Sequence, residues 1–150
     1  MRQTKIQKVF VCYGCGFPVK LLNVPMIKVR GIWTPNINYN HLTETVLKAL
    51  YIKPARLTGN EIRFIRLHFE MTLQAFARRF GVSHVAVIKW QEMKNRPTTM
   101  NWATEKDLRL FIYTKLKITP RELIDLYQFL EEIKPRKQTP LQLDIEKIAV

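Results

Sequence analysis

Two groups of residues in this chain could do chemistry. One is Cys12 and Cys15, a C-x-x-C pair. Thiols at this spacing serve as half of a metal knuckle, as a redox pair, or as plain buried thiols, and all three remain open at this point. Structural zinc needs four ligands. His41 is the only histidine near the pair, so zinc would require two chains to share one ion, and no cofactor is expected. The other group lies in residues 71–97, MTLQAFARRFGVSHVAVIKWQEMKNRP. It reads as two short helices joined by a Gly-containing turn and followed by a basic segment, the pattern of a helix-turn-helix. Ala77 is small enough for two helices to approach. Gly81 can adopt the left-handed conformation that ends the first helix. Val82 plugs the core beneath the turn, and Ser83 caps the second helix. His84, Val85, Ala86, Ile88 and Lys89 are then expected to point outward. Apolar groups there suit thymine methyls, and Lys89 suits guanine O6 or N7. No Ser–His–Asp order, Gly-rich phosphate loop or carboxylate cluster accompanies these residues. No thioredoxin-like βαβ pattern surrounds the thiols. The chain is therefore read as a non-enzyme.

Elements must hold these groups in place. Ile6, Val9 and Val11, then Val19, Leu21 and Leu22, read as short strands around the C-x-x-C turn. Met26, Ile27, Val29 and Ile32 read as another strand. Trp33–Asn40 is turn-rich and marks a boundary. From His41 to Ile52 the apolar residues recur at helical spacing, and Pro54 stops the run. Thr58 and Glu61 form a capping-box pattern for a helix over Glu61–Phe69. Thr72 caps a helix over Leu73–Phe80, and Ser83 caps one over His84–Met93 with Val87 and Trp90 inward. Two further helices follow over 102–116 and 120–133, the second opened by Thr119 and Pro120. The expected fold is mainly α with a small N-terminal β lobe (1–40), a linker helix (41–57), a helix-turn-helix bundle (58–134) and a mobile tail (135–150).

Composition sets the function class. The chain has 150 residues, 47% hydrophobic and 25% charged, which suits one globular domain with at most a small appendage. The abnormal quantity is a net charge of +13. Residues 1–40 hold six bases (Arg2, Lys5, Lys8, Lys20, Lys28, Arg30) and no acid. The last 50 residues hold nine bases and eight acids. Such asymmetry points to a polyanion for the first two-thirds of the chain. Two cysteines exclude a disulfide scaffold. No apolar run approaches the ~20 residues of a membrane span, and no secretory signal is read, so the cytoplasm is the expected compartment.

The stretch Glu61–Pro97 resembles the helix-turn-helix of the XRE superfamily, the lambda-repressor-like regulators. The resemblance rests on EIRFIR, FARRFGVS, V-x-K-W and R-P. It implies that Ser83, His84, Val85 and Lys89 fall where such proteins contact bases. It also implies that Thr72, Lys94, Asn95 and Arg96 fall where they contact phosphates. Members usually carry Glu after the Trp, paired with an Arg of the first helix. Here that position is Gln91, a neutral acceptor, and Arg66 fills the Arg role. A C-x-x-C lobe, a linker helix and then this segment look like the MqsA-type antitoxins of toxin–antitoxin loci. That family holds zinc through two C-x-x-C pairs, of which this chain keeps one, with Cys12 and Cys15 as its candidate ligands.

The expectation is a sequence-specific repressor of double-stranded DNA, an antitoxin autoregulating its own type II operon. Its partners would be an operator, a second copy of itself and a toxin protein. The alternatives are a stand-alone XRE-type regulator and a mainly toxin-neutralising module. The near-neutral helices over 102–133 are the expected dimer surface, with Phe111, Tyr113 and Leu126 on it. The six N-terminal bases suit a second nucleic-acid contact or an acidic partner equally well.

Overall fold

A computed structural model describes residues 2–116, 119–133 and 138–146. Among the described residues a small sheet is combined with six helices, and the chain divides into two compact units. One comprises residues 1–45 with 140–150, the other residues 46–139. Among the described residues no helix is long and apolar enough to cross a membrane.

The first unit is built on β1 (Thr4–Cys12), β2 (Val19–Val29) and β3 (Ile32–Pro35). β1 and β2 pair antiparallel from Thr4↔Ile27 to Cys12↔Val19, and β3 follows from Val29↔Ile32 to Met26↔Pro35. The C-x-x-C segment is a tight turn, with the Gly16 amide donating to the Tyr13 carbonyl. Met26, Ile27 and Val29 extend β2 and do not start a strand of their own, whereas Ile32 lies across a hairpin turn in β3. Along β2 the buried positions are Val19 and Leu21, then Val24 and Met26. The alternation steps by one at Asn23, which has a left-handed φ of 54°. That local rotation carries the apolar side chains to the core on both sides of the step. Trp33–Asn40 is not all turn. Trp33 to Pro35 complete β3, and α1 (Tyr39–Tyr51) starts at Tyr39. The Asn38 side chain accepts from the amides of Asn40 and His41 at that helix start.

The segment read as a mobile tail contributes β4 (Leu141–Asp144), which pairs parallel with β2 from Val19↔Leu141 to Leu22↔Asp144. Asn23 Nδ2 donates to Asp144 at 3.0 Å. A four-residue strand carries no periodicity of its own. It forms because β3 covers only the second half of β2 and leaves the first half to pair. Residues 135–137 and 147–150 of the expected tail lie outside the described residues.

The second unit begins with the second half of α1, from Val46, and holds α2 (Gly59–His68), α3 (Leu73–Arg79), α4 (His84–Glu92), α5 (Trp102–Lys115) and α6 (Pro120–Glu132). Each start has a side-chain cap. Thr58 and Glu61 complete a capping box, as do Thr119 and Glu122, while Thr72, Ser83 and Asn101 accept from amides of their first turns. Each such cap contributes about 1 kcal/mol. Ile62, Ile65, Phe76, Val87, Leu108 and Ile112 form the core. Residues 46–57 belong to this unit. Arg109, wholly buried on α5, donates to the carbonyls of Lys53 (2.6 Å) and Ala55 (2.7 Å) and to Glu105 (2.9 Å). Glu105 also takes Arg56 at 2.9 Å, and buried Lys53 reaches Glu61 at 2.8 Å.

The residues expected on a dimer surface lie inside the fold instead. Phe111, Tyr113 and Leu126 are buried within the protomer. Phe111 meets Phe69 and Phe80 edge to face, and Tyr113 packs with Leu126 and Leu130. They lie on the inner side of the stripes, which a sequence alone cannot separate from an outer apolar side. The apolar residues that α6 leaves exposed are Leu123, Ile124 and Tyr127.

Candidate functional site

The candidate site is carried by α3, the turn after it, α4 and the segment that follows. α3 ends in a Schellman arrangement. The Val82 amide donates to the Ala77 carbonyl at 3.0 Å and the Gly81 amide to Arg78 at 3.3 Å. Gly81 sits at φ 68°, where a β-carbon would be strained. Ser83 then starts α4, its hydroxyl accepting from the Ala86 amide at 3.2 Å. Val87 and Trp90 are buried on the inner face of α4.

His84, Val85 and Lys89 are exposed on its outer face, Val85 to 46%. An apolar residue that open, beside a histidine and a lysine, leaves a mixed surface free to touch a ligand. Ala86 and Ile88, expected to point outward, are half-buried instead. They flank the inner stripe and pack at its border. Glu92 shares the outer face at the C-terminal end of α4 and was not foreseen as part of it. Its angular position, 80° from His84 at 100° per residue, was the available signal.

The segment after α4 is pinned to the start of α2. The Asn60 amide donates to the Lys94 carbonyl at 2.9 Å, and Asn60 Nδ2 to Asn95 at 3.0 Å. Thr58 and Pro97 form an isolated bridge, and the Thr98 amide reaches Leu57 at 3.1 Å. Contact is so close that a β-carbon on Gly59 would stand 2.3 Å from the Trp90 carbonyl oxygen. The segment is thus held rigidly while Lys94, Asn95 and Arg96 remain exposed. Lys94 has φ 54°, the left-handed position that favours glycine or asparagine. Thr72 is exposed too, with its hydroxyl occupied by the Ala75 amide.

Arg66 supplies the brace between α2 and α4. Its Nε donates to Gln91 Oε1 at 2.8 Å and its Nη1 to the Met71 carbonyl at 3.0 Å. A neutral amide therefore does the work of the expected carboxylate. Burial, and secondarily the neighbouring Arg63, pulls the Arg66 pKa below its ordinary value. Arg63 itself is exposed on α2 and adds a base near this surface that sequence reasoning passed over. Arg79 behaves differently. It pairs with Asp107 at 2.9 Å and lies over the rings of Phe80 and Phe111.

Cys12 and Cys15 lie in the other unit, both half-buried free thiols. Burial, and to a lesser degree the nearby Cys12 sulfur, pushes the Cys15 thiol up to about 11. Metal ligation needs thiolates and a third and fourth donor. Among the described residues no group of three or more His, Cys, Asp or Glu comes together. Within one chain the described residues do not complete a structural zinc site. A cleft of about 490 Å³ in the same unit is lined by apolar Ile6, Pro25, Ile37, Leu42 and Ile145 with His41 and Glu146. It brings no nucleophile against a base.

Comparison with known proteins adds no relative, since no family model matches the chain and no curated protein or solved structure matches it significantly.

Proposed function

We propose that this chain is a sequence-specific binder of double-stranded DNA that acts as a transcriptional repressor, with α3, the Gly81 turn and α4 working as a lambda-repressor-like helix-turn-helix. The observation that carries the reading is the exposed outer face of α4, His84, Val85 and Lys89, held by a buried inner face and flanked by exposed Lys94, Asn95 and Arg96. In this reading the start of α4 enters the major groove. Val85 meets a thymine methyl, Lys89 reaches guanine, and Ser83 and His84 lie against base edges. Thr72 and the 94–96 segment grip phosphates. A second copy reads the second half-site, meeting its twin through the Leu123, Ile124 and Tyr127 face of α6. The XRE-like and MqsA-like motifs favour an antitoxin that represses its own operon beside a toxin.

The test is selection of a preferred duplex from a randomised pool, followed by binding of Lys89→Ala and Val85→Ala. Each is expected to cost roughly 1–3 kcal/mol on the selected duplex and to relax preference at one position. Equal affinity for every duplex, unchanged in both variants, would sink the reading. The antitoxin arm is tested by co-expression with the protein of the adjacent gene, which this chain should bind and neutralise.

A further inference from the structure

Four of the six bases in the first forty residues gather at one end of the sheet. Lys5 pairs with Met26 in register, Lys28 stands opposite Trp33, and the Lys28 amide donates to the Gln3 carbonyl. That bond brings the Arg2–Gln3 segment beside Lys28. Arg30 forms the turn between β2 and β3, so Arg2, Lys5, Lys28 and Arg30 share this end. All four are exposed, and none belongs to an ion pair among the described residues. The only acidic residue in the described strands, Asp144, lies at the far side of the Asn23 step, opposite Leu22.

Two further features separate this end from a merely soluble surface. Trp33 holds two ammonium groups, Lys5 Nζ at 4.5 Å and Lys28 Nζ at 5.8 Å from its ring centre. The ring's negative face offsets the repulsion between like charges and keeps both poised. The turn is a two-residue hairpin with φ of 50° at Arg30 and 80° at Gly31. Asn, Asp or Gly normally occupies the first position of such a turn. An arginine there is strained, so a long cation stands at the tip against local backbone preference. Val29 and Ile32 flank it, 48% and 69% exposed.

We infer that the β2–β3 hairpin end, through Arg2, Lys5, Lys28 and Arg30, is a second nucleic-acid contact that grips the phosphodiester backbone of duplex DNA without reading sequence. Four cations outside any ion pair among the described residues, at one end of the sheet, suit closely spaced phosphates, and each contact adds to the salt dependence of binding. This goes beyond the α4 reading, because it lies in the other unit and predicts affinity without specificity.

The experiment uses the full-length protein, a random-sequence 40-bp duplex and a salt titration. Lys28→Gln/Arg30→Gln is compared with a control pair on exposed sites elsewhere, Lys8→Gln/Lys48→Gln. The hairpin pair should weaken binding on the order of tenfold and reduce the log–log salt slope by about 2. It should do so equally on the random duplex and on the selected one. The control pair should change both far less. Equal losses in the two pairs would mean that net charge alone acts, and would overturn the proposal. So would an unchanged hairpin variant, or binding to phosphatidylserine vesicles in preference to duplex. Circular dichroism of each variant checks the fold. Failure here leaves the α4 reading standing, because that reading rests on discrimination between duplexes, which the hairpin pair should not alter.

Discussion

Cys15 and Arg109 show how depth sets what an ionisable side chain does. Arg109 is wholly buried, and burial draws its pKa below the ordinary value while Glu105 draws it back. Its guanidinium gathers two main-chain carbonyls and a carboxylate, so the charge is compensated where it lies. Loss of such a partner at that depth costs about 3–5 kcal/mol. Among the described residues no cation lowers Cys15, and its thiol holds its proton up to about 11. The unfolded chain loses that proton near the ordinary thiol value of 9.0. Between these values the folded state binds more protons than the unfolded one, so stability falls as pH rises from about 9 towards 11. Denaturation midpoints taken across that range should show the fall, and Cys15→Ala should reduce it. Alkylation in Cys12→Ser should still require unusually high pH, because burial is the larger cause and persists. Half-maximal alkylation at an ordinary thiol pH would contradict this.

At the scale of elements, the caps made the helices readable. Thr58, Thr72, Ser83 and Thr119 each carry the side-chain oxygen that a helix start needs, and α2, α3, α4 and α6 begin directly after them. What the pattern did not separate was the inner from the outer side of α5 and α6. A stripe of apolar residues records amphipathicity but not which neighbour covers it. α6 buries Leu126 and Leu130 and leaves Ile124 and Tyr127 more than half exposed. In an acid-rich helix of a strongly basic protein, this face can meet a second copy without adding to the positive charge. Ile124→Lys should give a monomer by analytical ultracentrifugation and bind a two-half-site duplex more weakly, with its helical signal intact. A dimer that survives the change would move the interface elsewhere.

For the whole molecule, the net charge of +13 sets the salt dependence expected under the proposed DNA binding. With about six phosphates neutralised, the log–log slope of affinity against salt is expected near −5, and a slope near zero would exclude nucleic acid as the partner. Local chemistry was legible in the sequence because it depends on neighbours in the chain. Caps, the Gly81 turn, the strand residues around the thiols and the charge imbalance are all of that kind. Long-range pairing was not. The return of Leu141–Asp144 to β2, the Asn23–Asp144 hydrogen bond, the burial of Phe111 and Tyr113, and the capture of residues 53–56 by Arg109 and Glu105 each join distant segments. Their energy comes from contacts that no local spacing encodes. The sequence by itself therefore determined which residues could touch a polyanion. Only the tertiary structure decided which of them stand free and together, because exposure and convergence depend on what the rest of the chain packs against.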